Sequence, residues 1–289
     1  MPGPDAWSEH RFIARDKTPL FYRRLKVSGS AKANLIILHG MGEHGGRYKE
    51  LAEYLAGKDI ASVIPDLRGF GKSGGKRGCV GHFSDYAADL DIIRRLEPVD
   101  KARVLPLFIL GHSFGGLVAT SWVSSNAAMH CRGLVLTSPC FGLAESVPWY
   151  RHWTALAVSM VYKDFTEANG VNPDLLSHDP AKCCLYKTDP MIHHRISAGL
   201  YRELMTQFDR VNEMALNIHC STLLLQAGDD RVVSRRAAES FFKALKVEDK
   251  ELHIYESLYH EILNEIERPA IFNLITDWMQ SRLGQVKNT

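Results

Sequence analysis

Ser113 lies at the centre of Gly111-His-Ser-Phe-Gly115, which fits the pattern G-x-S-x-G. The apolar run 105–110 precedes this turn, and residues 117–122 form a credible helix after it. A strand–turn–helix setting of this kind strains the serine and exposes its hydroxyl above a sheet, close to a helix N-terminus. The flanking glycines leave room where the helix crosses the strand. We therefore predict that Ser113 is a nucleophile that attacks a carbonyl carbon.

A second stretch, Gly71-Lys-Ser-Gly-Gly75, also fits G-x-S-x-G, so the pattern alone does not choose between Ser113 and Ser73. Ser73 lies in a glycine-rich loop after a predicted strand, and the strand–turn–helix context favours Ser113. The Gly-Lys-Ser step also resembles a phosphate-binding loop, but that motif requires glycine five positions before Gly71. Asp66 occupies that position, which argues against ATP binding.

A nucleophilic serine needs two N–H donors to stabilise the oxyanion of the tetrahedral intermediate. We predict that the amide of Phe114, directly after the nucleophile, is one donor. The other is the amide of Met41 in His39-Gly-Met-Gly-Glu-His44, which follows the predicted strand 35–38. An ordinary glycine turn with a solvated His44 is the alternative. His39 is expected to brace this loop rather than to bind a metal ion.

A serine hydroxyl is a weak nucleophile at neutral pH, so an imidazole must take its proton. In folds with this kind of nucleophile turn, the chain order is serine, acid, histidine. His260 lies in a turn after the predicted strand 251–256, which is where the base is expected. The alternative is a surface-loop histidine. His253 lies within that strand, and His219 precedes a different one.

A carboxylate must orient the imidazole and stabilise its charged form. The predicted strand 221–226 leads into Asp229 and Asp230. The pattern Asp-x-Val-Val, in which apolar residues resume after the turn, favours Asp230 as the acid. Asp229 remains the competing candidate. The other aspartate is expected to cap the turn or the following helix.

Short, nearly continuous apolar runs recur along the chain and are typical of strands covered on both faces. These runs are residues 35–38, 62–64, 105–110, 134–136 and 223–225. Stretches with helical periodicity alternate with them, which predicts a mostly parallel sheet with helices on both sides. Residues 11–15 and 20–25 instead predict an antiparallel hairpin.

Residues 141–212 interrupt this alternation, because they contain no convincing strand. They carry apolar residues at helical spacing: Trp149, Trp153, Leu156, Ala157, Met160 and Val161. A helical insertion between two core strands explains the interruption. The apolar stripe packs down on the core, faces outward as part of a mobile lid for an apolar substrate or a bilayer, or does both.

Composition excludes several classes of protein. The net charge of +2, with 35 basic and 33 acidic residues, argues against a nucleic-acid partner. The N-terminal residues lack the pattern of a secretory signal, and no apolar stretch is long enough to span a membrane. A cytoplasmic location is therefore expected. The six cysteines lack zinc-site spacing and are expected to be free thiols.

Together these motifs resemble the monoacylglycerol lipase and lysophospholipase branch of the α/β hydrolases, also called serine aminopeptidase S33-like. The resemblance runs from about residue 10 to 283, on the stretches 39–44, 66–73, 111–116, 188–190, 223–230 and 259–261. The combination of His-Gly-x-Gly-Glu-His with Gly-His-Ser-x-Gly-Gly is fairly specific to this branch. One departure is Met41, where relatives often carry a smaller residue, so its side chain is expected to narrow the pocket.

The resemblance implies an α/β-hydrolase fold with Ser113, Asp230 and His260 as triad and the Met41 and Phe114 amides as oxyanion hole. It implies a core of residues 1–140 and 213–289, with a helical cap, residues 141–212, inserted after the sixth strand and roofing an acyl tunnel.

The implied reaction is hydrolysis of a monoacylglycerol or lysophospholipid through an acyl-enzyme, without metal or cofactor, with transient membrane contact through the cap. Alternatives are a short-chain carboxylesterase, a peptidase that releases N-terminal residues, and a non-catalytic binding protein that retains the fold. The sequence leaves the oligomeric state open.

Overall fold

The computed structural model describes residues 6–96, 105–125 and 131–283. Its main feature is an eight-stranded sheet. The strands of this sheet are Trp7–Ile13 (β1), Pro19–Leu25 (β2), Ala33–Leu38 (β3), Ile60–Asp66 (β4), Leu107–His112 (β5), Cys131–Thr137 (β6), Ser221–Ala227 (β9) and Lys250–Tyr255 (β10). They are ordered β1-β2-β4-β3-β5-β6-β9-β10. Two further strands, Thr166–Ala168 (β7) and Arg195–Ser197 (β8), form a separate antiparallel pair.

The pairing confirms a mostly parallel sheet with an N-terminal hairpin. β1 pairs antiparallel with β2, and β2 pairs antiparallel with β4; every other neighbouring pair is parallel. β1 begins at Trp7, four residues before the predicted start at Arg11. As an edge strand it is mostly accessible to solvent, so its sequence is largely polar and gives only a weak apolar signal.

Helices cover both faces of the sheet, and two others lie in the segment between β6 and β9. The helices are Lys49–Ala56 (α1), Ser84–Leu96 (α2), Phe114–Ser125 (α3), Trp149–Val161 (α4), Pro180–Thr188 (α5), Ala198–Leu216 (α6), Arg235–Ala244 (α7) and Arg268–Ser281 (α8). The two others are α4 and α5. The side chains of successive strand residues pack into two separate apolar clusters on opposite faces of the sheet, as those of Ile36 and Ile37 in β3 do. This two-sided burial is why the strands are continuously apolar.

Residues 141–212 lie between β6 and β9, which are neighbours in the sheet. They contain α4, α5 and most of α6, so the prediction of a largely helical insertion agrees with the structure. The expectation that no strand occurs there is wrong, because β7 and β8 form a short antiparallel pair. Strands of three residues are too short to show alternation. α6 continues to Leu216, so the predicted boundary at residue 212 falls inside a helix.

The apolar stripe of α4 is mostly exposed and does not pack down on the core. Trp149 is 75% exposed and Val161 92%, and Trp153 and Met160 are also exposed. Leu156 is half-buried. Within the described ranges, no helix combines the length and the apolar character needed to cross a bilayer.

Candidate active site

Three side chains that are distant in sequence meet at the carboxyl end of the sheet. Ser113 follows β5, Asp230 follows β9 and His260 follows β10. Nε2 of His260 lies 2.9 Å from Oγ of Ser113, and Nδ1 of His260 lies 2.8 Å from Oδ2 of Asp230. One imidazole therefore connects a hydroxyl to a carboxylate, an arrangement that can activate a serine.

The structure also separates the two candidate aspartates. The carboxylate of Asp230 is buried, whereas Asp229 is more exposed and forms an ion pair with Arg231 at 2.7 Å. The expectation that Asp229 caps the turn or the following helix is wrong, because Asp230 itself accepts from two backbone amides of the turn, and Ser234 caps α7.

The turn that carries Ser113 is strained and tightly packed. Its φ is +50°, in the left-handed region that non-glycine residues rarely adopt. A Cβ at Gly111 would lie 2.5 Å from the carbonyl oxygen of Gly115, and one at Gly115 would lie 2.3 Å from that of Leu38. Only glycine fits at these two positions, which is why G-x-S-x-G is required here.

Ser73, the other serine in a G-x-S-x-G match, has a structural role. It is buried, accepts a hydrogen bond from the amide of Phe21 at 2.9 Å and donates one to the carbonyl of Asp66 at 2.5 Å. The carboxylate of Asp66 accepts from the amides of Gly45 and Lys72. The interior of this loop is thus filled by a carboxylate of the chain itself, which would repel a phosphate.

The loop after β3 presents the amide of Met41 as an available donor. The amide of Gly40 is already occupied by Oε1 of Glu43 at 2.6 Å, whereas that of Met41 has no acceptor among the described residues. Phe114 is the first residue of α3, so its N–H has no intrahelical partner.

The two histidines of this loop have structural contacts. Nδ1 of His39 donates to the carbonyl of Gly40, and Nε2 accepts from the amide of Leu67 at 2.9 Å, so His39 braces the loop as predicted. His44 is buried and lies 2.9 Å from a carboxylate oxygen of Asp189. The solvated His44 of the alternative interpretation is therefore wrong.

The electrostatics around His260 suit a general base held by a carboxylate. Burial by itself lowers the pKa of His260, but the charge and hydrogen bond of Asp230, together with the charges of Glu261 and Glu43, outweigh it, so the pKa is raised. Burial raises the pKa of Asp230, but its contacts with His260 and the amides of Val232 and Val233 lower it overall. Asp230 is therefore an anion at neutral pH.

His112, the residue before the nucleophile, is a neutral neighbour of the base. Its ring centroid lies 4.9 Å from that of His260. Burial, and then the proximity of His260, lower the pKa of His112 to about 4. Nδ1 of His112 donates to the carbonyl of Thr137 at 3.0 Å. Because it stays uncharged, His112 does not oppose the protonation of His260 during a reaction.

The prediction from sequence missed a buried clamp formed by Arg47. Its guanidinium binds the carboxylate of Glu261 through two hydrogen bonds, of 2.7 and 2.6 Å, and also pairs with Glu43. It stacks on the ring of Tyr186, 4.8 Å from the centroid. The four-residue spacing of Glu43 and Arg47 hints at one of these pairs. Nothing local indicates the pair with Glu261, which is 214 residues away.

Within the described residues, no cluster of three or more His, Cys, Asp or Glu side chains is arranged to hold a metal ion. All six cysteines are free thiols, as predicted, and four of them are buried.

Comparison with known proteins identifies the family. The family described as serine aminopeptidase, S33, matches residues 29–267. This chain belongs to that family. The expectation of an α/β-hydrolase fold is confirmed, because a crystal structure of a monoacylglycerol lipase from Paleococcus ferrophilus superimposes with a TM-score of 0.82. That structure is 28% identical and covers 91% of this chain and 99% of its own.

Two characterised relatives match along most of their own length. Human monoglyceride lipase is 30% identical over 277 residues, which is 93% of this chain and 89% of the relative. A phospholipase of Bacillus subtilis is 31% identical over 245 residues, which is 83% and 92% respectively. The chain spans only 30% of a longer, uncharacterized abhydrolase domain-containing protein of Dictyostelium discoideum, which is 28% identical.

Replacing Arg47 by methionine in this S33 family member is expected to lower the free energy of unfolding by about 3–5 kcal/mol, because two buried carboxylates lose their partner. The hydrolytic kcat should also fall, because Glu261 follows His260 directly. Urea unfolding measures the first effect. Arg235→Met is the matched control, since Arg235 pairs with Glu239 and Glu256 at the surface. We expect the free energy of unfolding of Arg235→Met to fall by less than about 1 kcal/mol. An equal fall in the two variants would contradict a stabilising role for the buried Arg47 ion pairs.

The raised pKa of His260 predicts the pH dependence of this S33 family member. A general base acts only when deprotonated, so kcat/KM for a neutral ester should rise with pH. The midpoint of that rise should lie above 6.5, the ordinary value for histidine. Rates measured from about pH 5 to about pH 9 test this. A midpoint below the ordinary value would show that burial outweighs Asp230 and the neighbouring carboxylates.

Proposed function

We propose that this chain hydrolyses the carboxylic ester of a monoacylglycerol or lysophospholipid and releases a fatty acid through an acyl-enzyme. The observation that carries the proposal is the hydrogen-bonded series from Ser113 through His260 to Asp230. The monoglyceride lipase and phospholipase relatives, which align over most of this chain, support the class of substrate.

In the proposed reaction, Oγ of Ser113 attacks the ester carbonyl while Nε2 of His260 takes the hydroxyl proton. The amides of Met41 and Phe114 stabilise the oxyanion, and Asp230 stabilises the imidazolium. When the tetrahedral intermediate collapses, the bond to the alcohol oxygen breaks and His260 gives its proton to that oxygen. Water, deprotonated by Nε2 of His260, then attacks the acyl carbonyl. The bond between the acyl carbon and Oγ of Ser113 breaks, Oγ takes the proton back from His260, and the fatty acid is released.

We propose that residues 141–212 act as a cap over a core formed by residues 1–140 and 213–289. His193 donates its backbone N–H to the carbonyl of Gly42 at 2.9 Å, which brings this segment onto the loop after β3. Ser113 is only 7% exposed and His260 3%. A lipid ester therefore needs part of the cap to move before it can reach the nucleophile.

The exposed face of α4 supports transient contact between the cap and a lipid surface. Trp149 and Trp153, together with Met160, present apolar area to solvent, and aromatic side chains favour the membrane interface. The free thiols support a reducing, cytoplasmic location. We propose a cytoplasmic location, a role in lipid metabolism and intermittent contact with membranes.

Hydrolysis across a matched panel tests this function. The panel contains monoacylglycerols and lysophospholipids of increasing acyl length, a short-chain ester and an aminoacyl amide. We expect kcat/KM to be highest for long single-chain esters. A preference for short acyl groups would identify a short-chain carboxylesterase, and hydrolysis of the amide alone would identify an aminopeptidase. Labelling by a fluorophosphonate separates a catalyst from a non-catalytic binding protein, because the probe requires an activated serine.

A further inference from the structure

The buried charges next to the base do not balance. Asp230 binds Nδ1 of His260, Glu261 is the next residue in the chain, and Glu43 shares Arg47 with Glu261. All three carboxylates are buried. Among the described parts of the chain, Arg47 is the only lysine or arginine that forms an ion pair with any of them. Three anions therefore share one cation, which leaves an excess of two negative charges.

The other titratable groups nearby do not cancel this excess. Burial by itself raises the pKa of Glu43, but Arg47 and other neighbours outweigh it and hold the pKa at about 2, so Glu43 is ionised. Burial lowers the pKa values of His39 and His112, so both rings are neutral at neutral pH. Asp66 contributes nothing to the excess, because it is paired with Arg23.

The alcohol part of an ester must lie within this negative field. Its oxygen receives a proton from Nε2 of His260, so the alcohol leaves from beside that ring. Glu261 is the next residue in the chain and is held close to the site by Arg47. Because the surrounding groups are buried, solvent screens these charges only weakly.

We propose that this site selects its ester by the charge of the alcohol, with Glu261 as a specificity-determining residue. Neutral and cationic alcohols, such as glycerol or choline, are accepted, and anionic ones are disfavoured. The same field repels the carboxylate of the fatty acid product, which favours its release. This inference rests on the proposed esterase function and narrows its substrate class.

Soluble butyrate esters test the inference without a lipid interface. Butyrylcholine and 3,3-dimethylbutyl butyrate have the same shape and differ only in charge, and 2-sulfoethyl butyrate supplies an anionic alcohol. At low ionic strength we expect kcat/KM for the cationic ester to exceed that for its neutral isostere by about tenfold. The anionic ester should be slower than the neutral one by a similar factor.

Glu261→Gln keeps the shape of the side chain and removes one negative charge. We expect the ratio of cationic to neutral rates to fall several-fold in this variant. Glu256→Gln is the matched control, because Glu256 is exposed and pairs with Arg235 at the surface. Its ratio should equal that of the unmodified protein.

The outcomes separate the inference from the function on which it rests. Equal kcat/KM for all three esters in the unmodified protein would overturn the charge selection, whatever the variants do. If the ratio of kcat/KM for the cationic ester to that for the neutral ester were unchanged in a folded Glu261→Gln protein, Glu261 would not be a specificity-determining residue. If none of these esters nor any lipid ester is hydrolysed, the proposed function itself fails.

Discussion

Replacing Ser113 by alanine is expected to lower kcat for ester hydrolysis by about a millionfold while leaving the fold intact. Among the described residues, the only side-chain hydrogen bond of its hydroxyl is with His260, at 2.9 Å, and the imidazole keeps its bond to Asp230 in the variant. Alanine meets the same backbone strain as serine at this positive φ. Stability should therefore change by less than about 1 kcal/mol. Steady-state kinetics, fluorophosphonate labelling and thermal unfolding measure these effects together.

Ser73→Ala is the matched control, since Ser73 has the same local pattern in a different context. Its hydroxyl accepts from the buried amide of Phe21, so its loss should cost about 1–3 kcal/mol of stability. The turnover of the folded protein should be little changed. If Ser113→Ala kept its activity and labelling, or if Ser73→Ala alone abolished both, the assignment of the nucleophile would be wrong.

The residues of the candidate site could be found from sequence because each is marked locally. Ser113 and Asp230 follow strands that can be recognised by their apolar runs, and His260 follows β10, in which apolar and polar residues alternate. Parallel strands place their carboxyl ends on one edge of a sheet, so the fold class brings these residues together. The strained φ of Ser113 and the two close glycine contacts explain why the nucleophile turn tolerates so little variation.

What the sequence could not provide depends on contacts between distant segments. Arg47 meets Glu261 across 214 positions, and neither residue has a neighbour that indicates the pair. β7 and β8 have three residues each, too few for a periodic signal. The apolar stripe on α4 has the spacing of a core-facing helix, yet it faces solvent. The sequence could not show this, because helical periodicity identifies an apolar face and does not indicate what covers it.

The second large effect on kcat is expected when the two candidate aspartates are replaced by asparagine, one at a time. Asp230→Asn is expected to lower kcat by about 10⁴-fold, and Asp229→Asn to change it less than about twofold. Asp229 is paired with Arg231 and does not contact His260, so the second substitution removes a carboxylate without disturbing the base.

The contacts of Asp230 explain why an amide fails there. Oδ1 accepts from the backbone N–H groups of Val232 and Val233, at 2.8 and 2.9 Å, while Oδ2 faces Nδ1 of His260. In the asparagine variant those two donors hold the amide oxygen in place, which turns the NH₂ group toward the imidazole. Nδ1 must then accept a hydrogen bond, so the proton moves to Nε2 and the ring can no longer take a proton from Ser113.

The pH profile distinguishes this mechanism from a general loss of structure. The charge and hydrogen bond of Asp230 are the largest contributions that raise the pKa of His260. Without them the pKa falls, so the midpoint of the remaining activity should move to lower pH. Disruption of the fold would instead lower the rate at every pH without moving the midpoint. A larger loss in Asp229→Asn than in Asp230→Asn would reverse the assignment. The orientation of the imidazole, rather than the mere presence of an acid nearby, is therefore what the comparison measures.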